Sequence, residues 1–306
     1  MISELPNCLL TFILSLLSIK DAVKTSVLSR RWRHLFMLIP NLVVDSANIF
    51  SDQDHRRFTL SSYEAFEKER REFVMRVDQF MQLMRGRHIR SLTVGFFMDS
   101  EYSSHLDGWL KVAIASGLTK LELFLSLEQN FLTQFIVDEH RLYNFPYWLF
   151  SESNISMLSH LRLENCVLRT PGDFKGFRNL RTLELNDVIL AEDFATEILP
   201  SCLLLEQLTF LWCKLKSTLC FDHPSLSLKH LKVLHCCPKT IIKISSMNLT
   251  TFEYDDMMKI AYLYAPQLKE ICSINTRGPL SFAHFSRLPQ LEILLLYVDY
   301  LQVSVI

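Results

Sequence analysis

Glycine is scarce in this chain. Only 7 of its 306 residues are Gly, which leaves few positions for phosphate-cradling loops, two-residue hairpin turns or propeller blades. A charge excess of either sign is also missing: 32 Lys and Arg against 33 Asp and Glu give a formal net charge of −1. Neither a basic footprint for nucleic acid nor an acidic tail is present, so no nucleic-acid partner is expected. No apolar run approaches the roughly 20 residues that span a bilayer, so no membrane partner is expected. The eight cysteines (Cys8, Cys166, Cys202, Cys213, Cys220, Cys236, Cys237, Cys272) include no C-x-x-C pair, and they read as reduced thiols. No G-x-S-x-G, H-E-x-x-H, P-loop or G-x-G-x-x-G occurs. Catalysis is not expected, and no catalytic residue, cofactor or metal is assigned.

Apolar residues instead make up 49% of the chain, enough for a sizeable core and too many for a disordered one. The first forty residues read as three short helices. Pro6 suits a first helical position, and Leu9, Leu10, Ile13, Leu14 and Leu17 follow at helical spacing. Ser18 with Asp21 resembles a capping box that opens a second helix through Val27. Ser29 caps a third, whose Trp32, Leu35, Phe36 and Ile39 share one face before Pro40 stops it. Helices this short are not stable alone and must pack on one another or on a partner. The apolar run Cys8 to Leu17 has the length of a secretory core. However, Glu4 stands where positive charge belongs, Pro6 interrupts the run, and no small-x-small cleavage site follows.

Residues 45 to 72 are polar and irregular. The charge run Glu64 to Glu72 leads into an amphipathic stretch whose stripe is Phe73, Val77, Phe80, Met81 and Met84, read as a helix that buries its stripe and solvates its charges. From residue 89 the period changes. The unit L-x-x-L-x-L stands at Leu158/Leu161/Leu163, Leu180/Leu183/Leu185, Leu205/Leu208/Phe210, Leu228/Leu231/Val233, Leu249/Phe252/Tyr254 and Leu291/Leu294/Leu296. Degenerate copies lie at Ile89/Leu92/Val94, Leu118/Leu121/Leu123 and Leu268/Ile271. From Leu158 the starts recur every 19 to 25 residues, the leucine-rich-repeat period. Cys166, Cys213 and Cys236 fill the repeat's Asn/Cys position, with Val188 in one copy. One repeat cannot bury its own leucines and stacking does, so the expected product is a parallel ladder with one large concave face.

Two clusters invite a chemical reading. His235-Cys236-Cys237, with His230 nearby, is the densest set of soft ligands, but Cys236 is the repeat's own cysteine and adjacent cysteines converge poorly on one zinc. Asp255-Asp256 resembles an acid pair, yet neighbours on a strand point to opposite faces, and a solvated strand end is expected. The basic run Arg30-Arg31-Trp32-Arg33-His34 reads as a solvated interface face.

Leu5-Pro6, Ile13-Leu14-Ser15-Leu16-Leu17 and Lys20 to Arg33 (KDAVKTSVLSRRWR) resemble the F-box of plant F-box/leucine-rich-repeat proteins. The stretches His105 to Leu123, Leu158 to Leu190 and Leu199 to Cys213 resemble the same family's repeats in order. The resemblance implies an α/β chain: an F-box domain over 1–42, a linker and amphipathic helix over 43–88, and a leucine-rich-repeat domain with a curved parallel sheet over 89–306. It further implies a non-catalytic substrate receptor. Its F-box would bind a Skp-type adaptor, and through it cullin and RING subunits of a ubiquitin ligase, in the cytoplasm, the nucleus or both. Carried over by position, Leu5, Pro6, Leu9, Ile13, Leu17, Leu28, Trp32 and Leu35 lie at or beneath the adaptor interface, with Trp32 as the type of rigid anchor that dominates interfaces. An unknown protein target would be met by the side chains between the inward leucines: His160, Arg162, Glu164, Thr182, Glu184, Asn186, Gln207, Thr209, His230, Lys232, Thr251, Glu253 and Asp255. Two alternatives stand beside this one: a secreted or receptor-type leucine-rich-repeat binder with a cleaved leader, and an F-box protein that acts as a scaffold without degradation.

Overall fold

A computed structural model describes residues 4–50, 63–126, 139–150, 157–169, 171, 174–191, 194, 199, 202–215, 218–222, 227–236, 240–255, 258–275, 288–298 and 301–305. The chain forms two compact units, Met1–Leu149 and Phe150–Ile306.

The first unit opens with α1 (Asn7–Ser15) and α2 (Ile19–Lys24). Two 3-10 segments follow, Thr25–Val27 and Trp32–Leu38. Pro6 sits one residue before α1, where its carbonyl accepts from the amides of Leu9 and Leu10 at 3.0 and 3.1 Å. The expected cap of α2 is present: Ser18 Oγ accepts from the Asp21 amide at 3.1 Å and donates to Asp21 Oδ2 at 2.8 Å. The third segment is 3-10 rather than α-helical, but Trp32, Leu35, Phe36 and Ile39 do share its buried side. With Leu10, Leu14 and Ala22 they form the interior of the helical segment.

Beyond Pro40 the polar stretch is more regular than its composition suggests. β1 (Asn41–Asp45) and the short α3 (Ser46–Ile49) precede α4 (Tyr63–Met84), and residues 51–62 lie outside the described ones. β2 (Ser91–Gly95) pairs parallel with β1, and β3 (Lys120–Phe124) with β2, placing Leu42, Leu92 and Leu121 in one row and Val44, Val94 and Leu123 in the next. The Pro40 carbonyl accepts from the amides of both Arg90 and Ser91, and the Arg90 carbonyl from both Thr119 and Lys120. Residues 41–45 therefore stand as a repeat strand without a leucine signature. α5 (Ser103–Ala115) lies between β2 and β3 in sequence, and β4 (Tyr143–Asn144) near the unit's end.

The stripe of α4 is buried as its period predicts, but its charges are not all solvated. Arg70 is buried, with Nη2 2.6 Å from Glu67, Nη1 3.4 Å from Asp99 and the guanidinium 4.4 Å from the centre of the Tyr102 ring. Carboxylates and aromatic faces gathered around one guanidinium replace the water it loses. Asp78 joins α4 to α5, accepting from Trp109 Nε1 at 2.7 Å and meeting His105 Nδ1 at 2.8 Å.

The second unit is a parallel ladder of β5 (His160–Glu164), β7 (Thr182–Asn186), β9 (Gln207–Leu211), β11 (His230–Leu234), β13 (Thr251–Asp255), β15 (Glu270–Asn275) and β16 (Ile293–Val298). The last strand, β17 (Leu301–Val305), pairs antiparallel with β16. Register aligns Leu161, Leu183, Leu208, Leu231, Phe252, Ile271 and Leu294 in one row. The double-acceptor carbonyl recurs at Ser159, Arg181, Glu206, Lys229, Thr250 and Lys269. Between these strands the chain places β6 (Cys166–Leu168) beside β8 (Ile189–Leu190), and β10 (Leu219–Phe221), β12 (Ile241–Ser245) and β14 (Lys259–Tyr264) in a second parallel sheet. Strands thus cover part of the side expected to carry helices or irregular turns. Cys166, Cys213 and Cys236 are buried, and the last two thiols donate to backbone carbonyls of the ladder strands, Cys213 to Leu185 at 3.3 Å and Cys236 to Leu234 at 3.3 Å.

Candidate protein-interaction surfaces

Helix α1 has two apolar sides. Leu10 and Leu14, four residues apart, face the interior; Leu9, Phe12, Ile13 and Leu16 lie about a quarter-turn or more away on the other side. Phe12 is 61% and Leu16 71% exposed, and after α2 the chain adds Val27 at 85% and Leu28 at 66%. Leu9 and Leu17 are also exposed, Ile13 and Leu5 are half-buried, and Pro6 is exposed. Arg31 ties this surface together: its Nη2 donates to the Leu5 carbonyl at 2.5 Å and to Asn7 Oδ1 at 2.8 Å. A large aliphatic or aromatic side chain gains about 1.5–3 kcal/mol on full burial, so several left in water on one short segment mark a surface awaiting cover.

The residues carried over from the family divide accordingly. Leu9, Leu17 and Leu28 face solvent, whereas Trp32 and Leu35 are each only 4% exposed. Trp32 is therefore corrected from surface anchor to interior residue: the 3-10 segment turns it onto the same side as Leu35 and Phe36. Phe12, Leu16 and Val27 were not among the expected residues. Helical periodicity from Leu9 would have found the first two.

On the ladder, the side chains between the inward leucines form rows across the strands, and most are paired with a neighbour. Arg162 meets Glu184 at 3.4 Å and Lys232 meets Glu253 at 2.6 Å. Asn186 donates to Glu164 at 3.1 Å, and His230 Nδ1 lies 2.7 Å from the Thr251 hydroxyl. Thr182 reaches Gln207 at 3.5 Å, and His160 lies beside the Ser159 hydroxyl at 2.8 Å. Thr209 is half-buried in the same row as Glu184 and Lys232. At one end of the strands Glu206 accepts from Lys229 at 2.8 Å and from Arg181 at 2.5 Å, and these two hydrogen bonds hold its carboxyl below the usual range.

Asp255 departs from the expectation of a solvated strand end. It is buried, with Oδ2 3.5 Å from His235 Nδ1, because His235 lies against it; Asp256 is outside the described residues. His235 in turn stacks on Trp212, ring centres 4.2 Å apart and planes 21° from parallel. Each of four successive strands is followed by a residue with positive φ: Asn165 at 54°, Asp187 at 50°, Trp212 at 56° and His235 at 54°. The amides of the first three donate to the last strand carbonyl of the next repeat, at 3.1, 2.8 and 3.0 Å. These four residues thus form one rim row at the carboxyl ends of the strands. Asn and Asp suit this conformation; in other L-residues it costs about 1–2 kcal/mol.

Two of the thiols, Cys166 and Cys272, offer little nucleophilic chemistry. Burial pushes the Cys166 thiol far up and the Cys272 thiol up to about 11. Among the described residues no group of three His, Cys, Asp or Glu is placed to hold a metal, and no helix is long and apolar enough to cross a membrane.

Comparison with known proteins assigns the helical segment and the repeats to two family models. Residues 2–42 match the F-box domain model, and residues 80–304 match the leucine-rich-repeat model described as At1g61320/AtMIF1, LRR domain. The chain belongs to the F-box/leucine-rich-repeat family. Proteins with these domains are typically non-enzymatic adaptors. The chain is 30% identical to the F-box/LRR-repeat protein At3g58900 of Arabidopsis thaliana over 88% of this chain and 73% of the relative. It is 34% identical to the F-box/LRR-repeat protein At2g42730 of the same plant over 42% of this chain and 26% of that one. It is also 28% identical to the F-box protein At5g03100, over 76% and 62%. Against several further Arabidopsis F-box relatives the chain spans about half their length.

Proposed function

We propose that this protein is the substrate-recognition subunit of a Skp-cullin-F-box type ubiquitin ligase, acting in the cytoplasm, the nucleus or both. The F-box docks on a Skp-type adaptor, which brings cullin and RING subunits, and the ladder holds a protein target. The observation that carries this reading is the exposed apolar surface Leu9, Phe12, Leu16, Val27 and Leu28 on a segment whose own interior is already filled by Leu10, Leu14, Trp32 and Phe36. A cleaved leader would remove α1 and with it most of that surface; the well-formed cap of α2 and the tie from Arg31 back to Leu5 favour a segment kept as a domain.

The test is co-purification. Expressed with a Skp-type adaptor, the wild-type chain should retain it through washing, and Phe12→Ala with Leu16→Ala should lose it while melting at the wild-type temperature. A wild-type chain that retains no adaptor would sink the ligase reading and leave a ladder that binds a protein without leading it to ubiquitin.

A further inference from the structure

The rim row holds the same backbone four times over in one chain, which allows an internal comparison. Two copies carry Asn165 and Asp187, the types that accept positive φ through their short polar side chains. The next two carry His235, a type also enriched there, and Trp212, a bulky residue that is not. Trp212 is also 57% exposed, so burial does not explain its choice. One face of its indole lies on His235, whose Nδ1 is directed to the buried carboxylate of Asp255. The ring is held in place at a strained position on the surface, as expected of a residue kept for what it binds.

Charge indicates the partner. Around this aromatic pair, the rim row and the two adjoining outward rows of the ladder carry the carboxylates Glu164, Glu184, Asp187, Glu253 and Asp255 against the cations Arg162 and Lys232, and beyond the rim the charge of Lys214 acts on Asp187. The excess is acidic. Asp187 occupies the rim position immediately beside Trp212, one strand over, because Asn186 pairs with Leu211. Burial raises its carboxyl above the ordinary value, and a cation brought alongside would favour the charged form. A guanidinium is planar, lies flat on an indole face and pairs with a carboxylate through its edge; an ammonium does only the second well.

We infer that Trp212, braced by His235 and flanked by Asp187, is the anchor that takes an arginine side chain from an extended segment of the target protein. This rests on the reading of the ladder as the target-binding half and gives that reading a chemical class of ligand.

The experiment presents a phage-displayed library of random peptides to the full chain, with Trp212→Asn as the comparison. Asn is the residue the chain itself uses at the equivalent position Asn165, so this variant should melt at or above the wild-type temperature. The expected result is enrichment of arginine-containing peptides on wild type only. A selected peptide should bind about ten-fold more weakly to Trp212→Asn, to Asp187→Asn, and when its arginine is replaced by citrulline. Enrichment of peptides without arginine, equal binding of the lysine version, equal enrichment on Trp212→Asn, or no enrichment at all would overturn the inference. A Trp212→Asn protein that melts well below wild type would also overturn it, by making the indole a structural residue. Adaptor retention is measured on the same preparations: its failure in wild type would remove the ligase reading and leave the peptide result standing.

Discussion

The N-terminal helices and the ladder of the second unit handle large apolar side chains in opposite ways. In the helices the interior is completed by Leu10, Leu14, Trp32, Leu35 and Phe36, and a second set, including Phe12, Leu16 and Val27, is left in water. In the ladder the repeat leucines are buried by stacking on one another, and the outward rows are occupied mostly by mutually paired polar groups such as Lys232 and Glu253. The first region presents hydrophobic surface directly. The second presents a surface that is largely neutralised, so its recognition features have to be sought where the repeat departs from its own pattern.

The sharpest way to break that comparison is to remove one residue of each kind. Trp32→Ala should cost about 3–5 kcal/mol and Leu185→Ala about 2–5 kcal/mol, because each empties a filled interior. Phe12→Ala and Leu16→Ala should each change stability by less than about 0.5 kcal/mol. Urea denaturation of the four variants separates these outcomes. If Phe12→Ala destabilised as much as Trp32→Ala, the outer side of α1 would be covered by the chain itself, and the contrast between the two regions would disappear.

The same contrast shows what the sequence makes legible. A leucine that recurs at a fixed spacing reports burial, because the period forces one side inward; the rows led by Leu161 and Leu163 were readable for that reason, and so was the stripe of α4. The sequence does not report which of two apolar sides of a short helical segment turns inward. Trp32, expected at or beneath the interface as a tryptophan anchor, lies beneath it, because the 3-10 twist of its segment sends it inward. β1 escaped notice because its strand, Asn41–Asp45, follows Pro40 without the leading leucine, although its hydrogen bonds are those of a repeat. Asp255 obeys the strand alternation and is still hidden, since the group covering it comes from the neighbouring repeat. The rim row was not readable as a row: positive φ is favoured by Asn, Asp and His, and Trp212 in their midst gives no sign of it.

A smaller effect tests whether the helical segment is held together locally. Ser18→Ala removes the acceptor for the Asp21 amide and the donor to the Asp21 carboxylate, and it should cost about 1 kcal/mol. Ser18→Gly, which leaves the amide accessible to water, should cost only a few tenths. Because Ser18 is half-buried and its hydroxyl is spent within its own turn, adaptor retention should fall only as far as folding does.

The smallest expected effect is shared by both regions. Asp21 is held below its ordinary value by hydrogen bonds from Ser18 and Lys24, and Glu206 by hydrogen bonds from Lys229 and Arg181. A carboxyl whose folded value is lower than its unfolded one stabilises the fold above the unfolded value and loses that contribution as pH falls through the folded one. Both groups are at the surface, so salt screens the charge part of the effect. The denaturation midpoint should therefore fall as pH drops below the ordinary carboxyl range, and Glu206→Gln should make that fall shallower, most visibly at low ionic strength. An unchanged acid limb in Glu206→Gln would mean that the Arg181–Glu206–Lys229 row orders side chains without stabilising the ladder. The outward pairs would then be a neutral surface, and departures from the repeat such as Trp212 would be the more informative guide to what the ladder binds.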